Sequence, residues 1–338
     1  MRSSFNQSFV GLFYCVDTMN TSEYQDNSST GYGDCGIDNN MVDVLVPSLF
    51  FLLCVPALVL NVTVLWILLR LRTESTFMVY LQNLVAADLL MTLVLPVRTA
   101  SDLPGAPLGL RAFTCRYGSV LFYYCMYISI ALMGLISLDR FFKVVRPRGR
   151  LLGQNLLFGR TVSVATWAVL LGAVALPNVI LTSETASGRS HKFCMEMKSQ
   201  AGRDFHKAAI LALNWLFWVV LVVVGFCYIC IAWAVVQSHN NSGSINVIRQ
   251  RKTKAKVFIV LVVFLVCFAP YHIVRIPYTL LQVEKHSCTR ESLKVAKDFT
   301  LWLSATNICL DPLIYFFLCR SFREKLSDLG ILRRFSTT

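Results

Sequence analysis

Charge is scarce in this chain, and acid is scarcer than base. Of 338 residues only 15% are charged, with 19 Asp and Glu against 32 Lys and Arg. A soluble domain of this size needs more polar surface than such a composition supplies. Other absences narrow the field. There is no sustained alternation of polar and apolar residues, which argues against a membrane-spanning β-barrel. No internal repeat is visible, which weakens the case for a transporter built from duplicated halves. Neither an HExxH stretch nor a serine–histidine set at one depth is present, so an enzyme has no positive support. The polar linkers are too short to fold alone. A net charge of +13 invites a nucleic-acid partner, but the basic residues divide between two faces that a bilayer would separate. They form no single groove, and no nucleic acid is expected.

What remains is hydrophobic: 55% of the chain, gathered into seven runs at roughly 41–69, 77–97, 112–138, 161–181, 208–236, 257–281 and 299–318. A bilayer core of roughly 30 Å needs about 20 apolar residues per crossing. In lipid the backbone must satisfy its own hydrogen bonds, so such runs are helices. The expected architecture is all-α. A seven-transmembrane helix bundle covers 41–318, behind a tail at 1–40, and a short amphipathic cytoplasmic helix with a C-terminal tail occupies 319–338.

Orientation follows from lysine and arginine. Arg140, Lys143, Arg146, Arg148, Arg150 and Arg160 lie between the third and fourth spans with no acid after Asp139, and Arg249, Arg251, Lys252, Lys254 and Lys256 lie between the fifth and sixth. The positive-inside bias puts both loops in the cytoplasm and the N-terminus outside, in a multi-pass plasma-membrane protein. Glycosylation acceptors at Asn6, Asn20 and Asn27 agree. Residues 1–18 make a poor signal peptide, so the first span is expected to serve as the signal.

Of 12 cysteines, Cys15, Cys35, Cys115, Cys194 and Cys288 fall on the outer, oxidising side, where disulfides form. Sequence alone leaves the pairing open. One arrangement ties Cys115 to Cys194 across the bundle mouth and Cys35 to Cys288, leaving Cys15 over.

Ionisable groups inside a bilayer are costly and point to function. Asp88, Ser129, Asn307 and Asp311, with Asn61, stand at comparable depths, a donor set for a sodium ion or a water cluster. Asp139 and Arg140 mark the inner end of the third span. Pro270 and Pro312 permit kinks, and Tyr228 and Tyr315 lie where a ring could swing into the bundle.

In CFAPYHIVRIPYT, beginning at Cys267, His272, Arg275 and Thr279 share one helical face with Tyr278 beside it. Arg275 is five residues beyond Pro270, about 7.5 Å further out at the helical rise. Facing lipid, it would snorkel outward. Facing inward, it would meet Arg98, Arg111, Lys198 and Lys297 in a cationic mouth suited to a polyanion, because a guanidinium's planar fork matches phosphate.

Asn61, the LxxAD motif at Asp88, Cys115, DRF at 139–141, Trp167, CFAP at 267–270 and DPLIY at 311–315 resemble the rhodopsin-like G-protein-coupled receptors, motif by motif along nearly the whole chain. Within that class, LPNVILT, YHIVRIPYTLLQ and TLWLSATNICLDPLIYFFLC look like the purinergic nucleotide receptors, in the branch that senses ADP or UDP-sugars and couples to inhibitory G proteins. Phe268 for tryptophan and Asp311 for asparagine depart from the wider class and fit this branch. Phe141 for tyrosine and Val220 for the fifth-helix proline also depart.

The resemblance implies a nucleotide receptor that lowers cAMP, ADP being its first ligand. Arg275 and Lys297 would engage the phosphates, with Lys198, Tyr278, Gln282 and Arg111 nearby; Tyr123 would stack on the base; Asn178 and His206 would line the wall. Ile210 replaces an asparagine of an ADP-binding relative. Asp139, Arg140, Tyr228, Phe268, Pro270, Asp311, Pro312 and Tyr315 would form the switch that presents a cleft to the G protein. Sodium would be the only ion, an allosteric modulator, and no cofactor is implied. Ser336, Thr337 and Thr338 offer hydroxyls whose phosphorylation would recruit arrestin. A UDP-sugar or a lysophospholipid would use the same cations; an organic-anion transporter is the remote alternative.

Overall fold

Apolar runs with internal prolines and almost no charge become long helices because nothing in them favours an exposed backbone. The computed structural model describes residues 39–71, 73, 75–145, 155–183, 193–240, 247–281, 288–318 and 322, with side chains from residue 42 onward except 235, 238–240, 247–259 and 313–318. Seven helical segments in succession form the bundle. They are α1 (Asn39–Leu69), α2 (Thr76–Asp102), α3 (Leu108–Val145), α4 (Leu156–Ile180), α5 (Gln200–Asn240), α6 (Val247–Leu281) and α7, which runs Cys288–Ala305 and resumes at Asn307–Leu318. Among the described residues no strand occurs; the only β-bridge pairs Thr182 with Lys198.

The spans are longer than the apolar runs that announced them. Helix α3 begins four residues earlier than expected and α5 eight; α6 starts ten residues earlier and α7 eleven. Helical propensity continues into polar flanks once a span has nucleated, since each added residue gains a hydrogen bond. Six described helices are long and apolar enough to cross a membrane. The seventh is the exception: its outer half carries Arg290, Glu291, Lys294, Lys297 and Asp298.

Local chemistry sets the ends. Ser75 caps α2, its hydroxyl accepting from Met78 N at 3.4 Å, and Asn155 caps α4 by accepting from Leu157 N at 3.1 Å. Helix α3 passes through a π-helical turn at Thr114–Gly118, a bulge type frequent at functional sites. Within that turn Cys115 is bonded to Cys194, with Cα atoms 5.3 Å apart. Of the expected Cys35–Cys288 pair only Cys288 is described. Cys288 is disulfide-bonded, whereas Cys35 lies outside the described residues, as do Asn6, Asn20, Asn27, Gln282 and Ser336 to Thr338. Of the amphipathic segment expected after α7 only Phe322 is described, 4% exposed.

The core lies where α1, α2, α3, α5 and α6 meet, through Leu84, Phe122, Met133, Phe217, Phe264 and Tyr271. Two glycines let spans close up. A Cβ on Gly134 of α3 would stand 3.0 Å from Val220 Cγ1 of α5, and one on Gly159 of α4 would stand 3.0 Å from Thr76 Cγ2 of α2. Pro270 leaves α6 continuous, and the Cys267 carbonyl in the turn it opens accepts Ser304 Oγ of α7 at 2.8 Å. Helices α5 and α6 are joined by Asn214, whose Nδ2 donates to His272 O at 2.8 Å.

Candidate ligand cavity and switch

At the end of the bundle that carries the Cys115–Cys194 bond, the helices part around a cavity of about 410 Å³, within the range of small-molecule sites. The sequence-predicted ligand set converges on it. Arg275, Lys297, Tyr278, Lys198, Tyr123, Asn178, His206 and Arg111 all line it; Gln282 lies outside the described residues.

Arg275 is turned inward. It is 6% exposed, and its guanidinium carbon lies 5.8 Å from the Tyr123 ring and 5.7 Å from that of Tyr278. No carboxylate pairs with it among the described residues, and Nε has no hydrogen-bond partner. Lys297 Nζ approaches the Tyr278 ring to 4.9 Å and meets Asp298 at 2.5 Å. Arg275 on α6 and Lys297 on α7 thus hold positive charge in one partly dry cavity, where attraction to an anion is stronger than in bulk water.

Lys198 reaches the wall by a different route. After the helical turn Phe193–Glu196, Ser183 N donates to Met197 O at 2.8 Å, closing the loop on itself. The ammonium is thereby buried, giving protons to Thr182 Oγ1 at 2.8 Å and Asn178 Oδ1 at 3.3 Å. Burial pulls its pKa down to about 8. Both ends of the Asn178 amide are engaged. Its Oδ1 also lies 3.3 Å from His206 Nδ1, and its Nδ2 donates to Val174 O at 2.9 Å. Ile210 and Leu213 make the adjoining α5 wall apolar.

The cavity also holds acids that sequence reasoning left out. Seven basic side chains face four acidic ones, Asp43, Asp102, Glu291 and Asp298, an excess of three positive charges. Arg98, known from the sequence only as one cation near the mouth, is 8% exposed and lies over the rings of Phe50 and Phe122. The i, i+4 spacing of Arg98 and Asp102, and the adjacency of Lys297 and Asp298, were the available signals.

Beneath the cavity the helices are tied by aromatics. His272 is fully buried and stacks on Phe217 at 3.8 Å between centroids, while Phe268 packs on Phe264 at 5.3 Å. Deeper, the mid-bundle polar groups do meet. Ser129 Oγ donates to Asp88 Oδ1 at 3.3 Å, Asn307 Nδ2 donates to Asp311 Oδ2 at 2.8 Å, and Asp88 faces Asp311. Asn61 Nδ2 donates to Ile308 O at 2.8 Å. The buried oxygens Asn61 Oδ1, Asn307 Oδ1 and Asp311 Oδ1 have no hydrogen-bond partner. Two carboxylates and surplus carbonyl oxygens fit a small hard cation, which would let both acids stay ionised.

At the opposite end Asp139 is buried, and both its oxygens are engaged. Thr76 Oγ1 donates to Oδ1, and Lys143 Nζ donates to Oδ2 at 2.8 Å. The Arg140 guanidinium lies over the Phe77 ring at 3.6 Å. Lys143 follows Asp139 by one turn on the same face of α3. Tyr228 is buried at 2% exposure; Tyr315 lies on α7, its side chain outside what the structure describes.

Comparison with known proteins decides the class. Residues 60–315 match the family of 7 transmembrane receptors of the rhodopsin family. The chain belongs to the rhodopsin-family receptors. The receptor is 40% identical to human purinoceptor 13 over 92% of its own length and 88% of that protein. It is 38% identical to purinoceptor 14 of Bos taurus, over 87% and 88%. A third relative, mouse G-protein coupled receptor 87, is also 38% identical, over 92% and 87%. A multi-pass membrane receptor, and no enzyme, is what this membership means.

Proposed function

We propose that this receptor recognises an extracellular nucleotide, ADP before others, through the cavity built on Arg275, and signals through an inhibitory G protein at the opposite end. The observation that carries the reading is a buried guanidinium without a carboxylate partner among the described residues, framed by Tyr123 and Tyr278 and lining one cavity with Lys297. Leaving such a group unpaired costs free energy that an incoming phosphate recovers through charge-assisted hydrogen bonds. The purinoceptor names of two relatives support a purine. In this reading the cavity opens outside the plasma membrane, with the N-terminus on that side, and the loops rich in Lys and Arg face the cytoplasm.

Binding draws the outer end of α6 toward α7, Pro270 acting as a hinge and Phe268 as its packed fulcrum. The inner end then moves away from α3, uncovering Arg140 and a cleft for the G protein. The ligand shifts this equilibrium only as far as it prefers the open state. A sodium ion at Asp88, Ser129, Asn307 and Asp311 would favour the closed state, and arrestin would read the phosphorylated tail.

The test is cAMP suppression in cells displaying the receptor, with ADP, UDP-glucose and a lysophosphatidic acid as agonists. Activity with ADP that Arg275→Ala removes at equal surface display is the expected result. Silence with both nucleotides overturns the reading, and a response to the lipid alone reassigns the cavity.

A further inference from the structure

Helix α6 carries two prolines, Pro270 and Pro277, two turns apart. Neither has an N–H to give, so the carbonyls of Val266 and Ile273, four residues before them, lose their intrahelical donors. The turns between the prolines carry Tyr271, His272 and Arg275, and fewer hydrogen bonds join them to the rest of α6 than an unbroken helix would have. Below them α7 holds α6 through Ser304 Oγ, which donates to Cys267 O at 2.8 Å. The segment between the prolines is held by α5.

Asn214, Phe217 and Trp218 lie on one face of α5, at i, i+3 and i+4. Asn214 is buried, and its Nδ2 donates to His272 O at 2.8 Å. A carbonyl inside a helix is placed to accept from the amide four residues on, so this second donor is a lateral tie between helices. The Asn214 amide is itself fixed. Trp218 Nε1 donates to its Oδ1 at 2.7 Å, an indole N–H that finds no water to bond in lipid. Phe217 holds the same residue from the ring side, its centroid 3.8 Å from that of the His272 imidazole with 11° between the planes. Backbone and side chain of His272 are both held by α5, three residues from Arg275.

A group about 6 Å from a helix axis moves about 1 Å for every 10° of rotation. A charge-assisted hydrogen bond keeps its length within a few tenths of an ångström. The Arg275 guanidinium therefore meets a phosphate only where the rotation of its segment is set.

We propose that Asn214, held by Trp218, is the positioning residue of Arg275: it sets the rotation of the Pro270–Pro277 segment and so brings the guanidinium to the phosphate. The proposal rests on the nucleotide reading for that phosphate. Neither Asn214 nor Trp218 lines the cavity, so both act through α6 and without touching the ligand.

Binding of labelled ADP is to be measured on membranes carrying the full-length receptor as wild type, Asn214→Leu, Trp218→Phe, Arg275→Ala and the double variant Asn214→Leu with Arg275→Ala. Asn214→Leu keeps the volume and removes both bonds, and affinity should fall about tenfold, the scale of one strong hydrogen bond between transmembrane helices. Trp218→Phe keeps an aromatic ring without the donor and should cost about threefold. In the Arg275→Ala background Asn214→Leu should cost nothing more. A loss of equal size in both backgrounds makes Asn214 general scaffolding and overturns the proposal, as does unchanged affinity in Asn214→Leu. Where Asn214→Leu fails to reach the membrane, Trp218→Phe, alone and combined with Arg275→Ala, makes the same comparison. If wild type binds no ADP, the nucleotide reading falls by itself. In that case, or where Arg275→Ala binds too weakly to compare, hydrogen exchange of the ligand-free receptor decides the tie: faster exchange over 271–281 in Asn214→Leu with 260–266 unchanged supports it, and the same exchange in both proteins sinks it.

Discussion

Arg275 and Asp139 are equally buried, at 6% exposure each, near opposite ends of the same bundle. The carboxylate has both oxygens engaged, by Thr76 from α2 and by Lys143 one turn along its own helix. Among the described residues the guanidinium has no carboxylate partner and keeps an unpartnered Nε, with the rings of Tyr123 and Tyr278 beside it. A buried charge whose partners are all inside the protein holds a conformation, while one whose partner is missing waits for something to supply it. The contrast separates the lock of this receptor from its reader. It can be broken at either end.

The largest effect is expected at the reader. Arg275→Ala removes the charge that the phosphates seek, and ADP potency in the cAMP assay should fall about 100-fold at unchanged surface display, since truncating one partner of a buried charge pair costs several kcal/mol. Arg275→Lys, which keeps the charge without the planar fork, should fall between. A loss below threefold for alanine would mean that Arg275 is packed rather than poised.

At the lock the change is smaller and of opposite sign. Thr76→Val leaves one Asp139 oxygen without its donor and loosens the junction that holds Arg140 over Phe77. Losing about 1 kcal/mol from the closed state raises a sparsely populated open state about fivefold. Agonist-free suppression of cAMP should rise by about that factor, while ADP affinity rises less. Lys143→Gln should act in the same direction. If neither moves basal signalling, the contact is scaffolding and the two ends differ only in how their hydrogen bonds are filled.

How much of this contrast could be read from residues alone depended on sequence separation. The helices were legible because seven apolar runs leave the backbone no other solution in lipid, and Arg98, Arg111, Arg275 and Lys297 were legible because each sits near the outer end of its run. The counterions were not. Asp298 and Asp102 are ordinary polar neighbours in sequence, and only the early start of α7 and the turn between Arg98 and Asp102 reveal that they face the cavity. Asn178 shows the limit most sharply. Its amide looks available to a ligand in sequence, yet folding commits it to Lys198, His206 and Val174. Asp139 is held by Lys143, one turn along the same helix, as i, i+4 spacing allows.

Between reader and lock lies the mid-bundle cluster, where the contrast predicts intermediate behaviour. Asp311 and Asp88 face each other and three nearby oxygens lack partners, so the cluster is neither closed like Asp139 nor open to the cavity like Arg275. Raising sodium at constant ionic strength should weaken ADP binding about threefold by favouring the closed bundle, and Asp88→Asn should abolish the sensitivity. Lithium or potassium matching sodium throughout would identify the effect as general screening.

The smallest expected effect concerns Lys198, which belongs to both categories at once, hydrogen-bonded within the protein and facing the cavity. Burial lowers its pKa to about 8, so it is mostly protonated at pH 7 and mostly neutral at pH 9. A phosphate group, with its second pKa near 6, is already fully charged across that interval. The attraction between them therefore falls as pH rises through 8, and ADP affinity should drop about threefold between pH 7 and 9. Bound phosphate raises the lysine pKa, so binding near pH 8 should take up a proton, visible in calorimetry as an enthalpy that depends on the ionisation heat of the buffer. Lys198→Gln should flatten the profile at the lower, pH 9 affinity. A profile equally steep in that variant would place the titrating group elsewhere and leave Lys198 as a purely internal tie between Thr182 and Asn178.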